Sequence, residues 1–130
     1  MIAAILESGE LERVSTGLSL LVSEAADGRP AYALAGYGAL GVLLDDALEA
    51  RALEPGAAPH VADEGRAVFA RTLAELRDTA LALDGLRIWA CAAAVEATGA
   101  DRAAIDARLA GVISTPRFLR EVAGAEIVVL

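Results

Sequence analysis

The chain has 130 residues, 56% of them hydrophobic, with one cysteine, one histidine and a formal charge of −8. That length suits a single domain with its own core, and the composition excludes extended disorder. The acidic balance argues against nucleic-acid or anionic-membrane surfaces, which need clustered Lys and Arg. A lone cysteine excludes an internal disulfide, a CxxC redox pair and a Cys-cluster zinc site.

Ile2 to Leu6 is a short apolar run that reads as a buried strand, ended by Ser8-Gly9. From Glu10 to Asp27 the residues Leu11, Val14, Leu18, Leu21, Val22 and Ala25 recur at three- and four-residue steps, the stripe of an amphipathic helix lying on a sheet. Gly28 closes it and Pro30 prevents its continuation. Ala31 to Ala35 becomes the second strand by position, since Ala is a poor strand former. The turn Gly36-Tyr37-Gly38 follows. Leu40, Leu43, Leu44, Ala47 and Leu48 then predict one helix, with Asp45, Asp46 and Glu49 on its solvated side. Glu54-Pro55-Gly56 with Pro59 is a loop that carries His60, and Asp63 and Glu64 suit the first turn of the next helix. Val68, Thr72, Leu73, Leu76, Ala80 and Leu83 are its expected buried stripe.

Asp84-Gly85 opens the central stretch. Leu86 to Ala90 reads as a strand, and the Ala-rich run beyond it as a short helix stopped by Gly99. Cys91 lies at the junction. Asp101 is an expected N-cap for a helix burying Ile105 and Leu109, and Gly111 ends it. Val112-Ile113 is a very short strand. Thr115-Pro116 reads as a cap followed by proline at the first helical position, with Phe118, Leu119 and Val122 facing inward. Gly124 ends that helix, and Ile127 to Leu130 is the last strand. This alternation predicts an α/β fold over residues 1–130: a single domain with a parallel sheet, right-handed crossovers and helices on both faces. Strand order is left open.

In such sheets ligands bind outside the carboxyl ends of the strands. Ser8, Gly9, Gly36, Tyr37, Gly38 and Cys91 fall there by topology, with Ser114 in a further wall, a place to receive an anion or a persulfide. At the amino end of a helix, unpaired N–H groups and the helix dipole favour a thiolate at Cys91. A free cysteine beside alanines is equally a small buried hydrophobe. Gly36 and Gly38 lack the third glycine of a dinucleotide fingerprint. His60 reads as an exposed loop residue, with a general-base role as the alternative. No metal or cofactor is expected. The start of the chain shows no basic, signal-like leader. The uncharged stretch Ala31–Leu44 falls short of a membrane span, and a cytoplasmic location is expected.

The run Ile88-Trp89-Ala90-Cys91-Ala92-Ala93-Ala94, followed by a helix and Gly99, resembles the cysteine segment of the DsrE/DsrF-like sulfur-relay family. There an apolar strand runs into Cys, then small residues, then a helix-ending Gly. The pattern of the remaining chain is similar, from the small-residue turn after the first strand to the closing Gly111–Leu130 segment. The resemblance implies a flavodoxin-like fold, assembly into homo-trimers or homo-hexamers, and a cysteine that accepts sulfane sulfur as a persulfide from a donor protein and hands it to an acceptor. Only Cys91 carries over as a functional residue. The competing expectation is a non-catalytic α/β binding or assembly subunit with Cys91 buried and inert. A third option is a small-molecule or nucleotide site at Gly36-Tyr37-Gly38.

Overall fold

A computed structural model describes all residues, 1–130. Five strands, β1 (Ile2–Leu6), β2 (Ala31–Ala35), β3 (Leu86–Cys91), β4 (Val112–Ile113) and β5 (Glu126–Val129), form one parallel sheet in the order β4-β3-β2-β1-β5. The helices are α1 (Leu11–Ala26), α2 (Tyr37–Leu44), α3 (Leu48–Ala52), α4 (Arg66–Ala82), α5 (Ala92–Thr98), α6 (Arg102–Arg108) and α7 (Thr115–Glu121), with a 3-10 turn at Asp63–Gly65. The fold is α/β, as the alternation of elements predicts.

The strand order explains how the helices divide. The chain steps from β1 to β4 in one direction across the sheet, so right-handed crossovers place the intervening helices on one face. The return from β4 to β5 runs the opposite way and drops α7 on the other face. Helices therefore flank both faces, but unequally. The first face buries a continuous cluster built on Leu6, Val14, Leu18, Leu21, Leu40, Leu43, Leu48, Leu73 and Ile105. The second buries only Ala3, Leu34, Trp89, Ile113, Phe118 and Val122. Trp89 is held between Tyr32, stacked at 6.2 Å, and Phe118, edge-on at 5.9 Å.

Several expectations need correction. The predicted helix through Leu48 is two helices broken at Asp45, whose side chain accepts from the Ala47 N–H at 2.8 Å and competes with the helical ladder. The carbonyls at the C-terminal end of α2 are satisfied by Arg77, a buried residue of α4 that donates to the carbonyls of Val42 and Asp45 at 3.1 and 2.8 Å. A charged side chain can be buried there because it satisfies carbonyls that the helix end leaves unpaired. Arg77 thus joins Ala70, Leu73 and Ala80 on the inner stripe of α4, while Val68 and Thr72 are exposed. Asp45 and Asp46 are ion-paired, with Arg51 and Arg108, rather than merely solvated. Leu119 points outward, 49% exposed, because α7 turns Phe118 and Val122 to the sheet. Ser114, and not Thr115, caps α7, accepting from the Arg117 N–H at 3.3 Å.

Candidate functional site

The carboxyl ends of β1, β2 and β3 bring most of the expected residues to one rim. Gly9 and Gly38 meet backbone to backbone: a Cβ on Gly38 would lie 2.6 Å from the Gly9 nitrogen. Gly36 follows β2, and a Cβ on it would lie 3.5 Å from Cβ of Cys91 and 3.1 Å from that of Ala94. These positions need glycine because neighbouring main chains and small side chains occupy the space a side chain would take. Tyr37 opens α2 with φ +47°, the one non-glycine residue with a left-handed backbone. Its ring is 52% exposed and borders a groove shared with Thr98, Ala100 and Asp101.

Cys91 ends β3 and is the N-cap of α5, so its thiol sits where the first N–H groups of that helix have no intrahelical acceptor. Alternation along β3 sends Leu86, Ile88 and Ala90 to the thickly covered face and Trp89 and Cys91 to the α7 face. Cys91 is half-buried there. It pairs in register with Ile113, which places Ser114 one residue past the thiol's neighbouring strand. None of the five main cavities is lined by Cys91.

Ser8 and Ser114 are engaged in local turns: Ser8 Oγ accepts from the Glu10 N–H at 3.1 Å, and Ser114 caps α7. The crevice where strand order reverses, between β1 and β5, is filled by the chain itself. The Leu130 carbonyl accepts from the N–H groups of Glu7 and Ser8 at 2.9 and 3.2 Å. His60 is held on the other side of the sheet from the thiol, since its N–H donates to Glu12 of α1 at 3.0 Å. Glu12 Oε1 is buried without a partner. No group of three or more His, Cys, Asp or Glu side chains is placed to hold a metal ion. No helix is long and apolar enough to cross a membrane.

The sequence reading did not single out the arginines on the α7 face. Arg87 interrupts an otherwise apolar strand, and that interruption was the available signal. It lines a concavity with Trp89 and with Arg117 of α7.

No protein-family model matches the chain. No curated protein matches it. Among solved structures, a protein of unknown function from Methanobacterium thermoautotrophicum is similar, with a TM-score of 0.59 at 18% identity over 99% of this chain and 97% of that one. At that identity the likeness shows the fold alone.

Proposed function

We propose that this chain is a small cytoplasmic sulfur-relay protein in which Cys91 carries sulfane sulfur. The observation that supports this reading is the setting of the thiol: half-buried at the end of β3, at the N-cap position of α5, on the thinly covered face. The Cys91 thiolate attacks the outer sulfur of a donor persulfide. The new S–S bond forms as the donor's S–S bond breaks, and the donor leaves as a thiolate that takes up a proton. An acceptor thiolate then attacks the terminal sulfur of the Cys91 persulfide. As the new S–S bond forms, the Cys91 S–S bond breaks and Cys91 leaves again as a thiolate, stabilised by the N–H groups at the start of α5. Donor and acceptor are proteins, and the carrier works as a homo-trimer or homo-hexamer.

A second reading rests on Leu119, Ile127 and Val129, which are 49%, 44% and 62% exposed. Apolar side chains left open beside α7 suit a non-catalytic binding or assembly subunit in which Cys91 is covered. One experiment separates the two: iodoacetamide labelling of the folded protein, with intact mass measured after exposure to a low-molecular-weight persulfide. The relay reading expects labelling without denaturant and an adduct of about 32 Da, lost on reduction and absent in Cys91→Ser. Labelling that appears only after unfolding overturns it in favour of the assembly subunit.

A further inference from the structure

We propose that the cleft between β3 and α7 binds a small oxyanion, a carboxylate or phosphate group held between Arg87 and Arg117 against the edge of Trp89. The cleft is bordered by Arg87, Trp89, Val112, Ile113, Arg117 and Glu121 and has a volume of about 270 Å³. That is just below the usual range for ligand pockets, so it suits a phosphate or a short carboxylic acid and not a nucleotide.

The pattern of ion pairing points to it. All eleven basic residues are arginines. Seven of them, Arg13, Arg29, Arg51, Arg66, Arg77, Arg102 and Arg108, have a carboxylate within reach. Acids outnumber bases by 19 to 11, so an arginine without a partner is the exception. Arg71, Arg87, Arg117 and Arg120 are the four exceptions, and two of them line this one cleft. Glu121 borders the same cleft yet pairs with neither. It lies four residues after Arg117 on α7, the less favourable order for a helical ion pair.

The rest of the cleft is ready for a ligand. Tyr32 and Phe118 fix the Trp89 ring on two sides, which removes the entropy cost of ordering that wall. Two guanidinium groups supply planar pairs of N–H donors matched to the two oxygens of a carboxylate or phosphate. Cys91 does not line the cleft, so the inference stands apart from the relay reading.

Trp89 is the only tryptophan, so its fluorescence reports the cleft directly. The folded protein is titrated with inorganic phosphate and, separately, succinate, with chloride lowered to hold ionic strength constant. A saturable change is expected with at least one, and the tighter of the two identifies the head group. Arg87→Gln and Arg117→Gln each weaken binding by about tenfold or more, as loss of a charged hydrogen-bond donor should. Glu121→Gln tightens it by removing a like charge from the rim, and Arg71→Gln, on α4, leaves it unchanged. Arg117 is on an exposed helical surface, so its variant keeps the fold even if Arg87→Gln does not. The proposal is overturned if neither probe gives a saturable change, if Arg117→Gln binds as the parent does, or if Arg71→Gln weakens binding as much. The unpaired Arg87 would then serve only to guard the open edge of β3.

Discussion

The two faces of the sheet share the same strands but are built differently. Under α1 to α4 and α6, 22 residues form one buried cluster; under α7, six do. A fully buried leucine contributes roughly 2 kcal/mol, so the first face supplies most of the stability. The second holds the half-buried Cys91, the Trp89 ring and three unpaired arginines. The thickly packed face fixes the strands, and the thin face can leave a thiol and charged groups partly open to solvent because little of the fold depends on it.

The largest effects test that division directly. Phe118→Ala removes the one aromatic side chain through which α7 grips Trp89, and it should cost about 3–5 kcal/mol in urea unfolding. Leu21→Ala on the opposite face should cost about 2–5 kcal/mol. The distinction lies in Cys91: native-state alkylation should speed up in Phe118→Ala and stay at the parent rate in Leu21→Ala. Equal acceleration in both would mean that the faces open together.

Smaller effects are expected where α2 meets the rim. Gly38→Ala forces a methyl against the Gly9 main chain, which has no flexible end to give way, so it should lose about 1–3 kcal/mol in thermal melts. Gly41→Ala, one turn on and with no atom near its added methyl, should gain up to about 1 kcal/mol. A neutral Gly38→Ala would show that the Gly9 contact yields.

The smallest effect is the acid response of the thick face. The Arg29 hydrogen bond, then that of the N-terminal ammonium, hold the Glu24 carboxyl below its ordinary value. Burial opposes ionisation of Asp45, but the Ala47 N–H and the Arg51 guanidinium outweigh it and lower that group too. A folded pKa below the unfolded one gives stability that is fully present above the unfolded values, near pH 4, and is lost as pH falls through the folded ones. Urea unfolding from about pH 7 down to about pH 3 should therefore show weakening only in the acid range. Glu24→Gln combined with Asp45→Asn should flatten that slope; an unchanged slope would assign it to other carboxylates.

How much of this was legible depended on whether a signal was local. The Leu11-Val14-Leu18-Leu21 stripe, the Gly28 and Gly99 stops and the Asp101 cap all appear as read, because periodicity and capping act within one element. Arg77 was invisible: a charged residue is buried only when another helix's unpaired carbonyls converge on it. The break at Asp45 was hidden for the same reason, since apolar spacing from Leu40 to Leu48 continues across it. At the candidate site the sequence placed Gly36 and Cys91 at strand ends, but their side-by-side packing needed the β2–β3 register.

By itself, then, the sequence determined the α/β alternation, the strand positions, the helix positions outside the Asp45 break, and Cys91 at a strand-to-helix junction, since each is fixed by neighbours a few residues away. Only the tertiary structure decided that β1 lies between β2 and β5, that a single helix returns over the second face, and that Arg87 and Arg117 line one cleft with Trp89. Those outcomes depend on the direction of each crossover and on contacts between residues far apart in the chain, which no local pattern encodes.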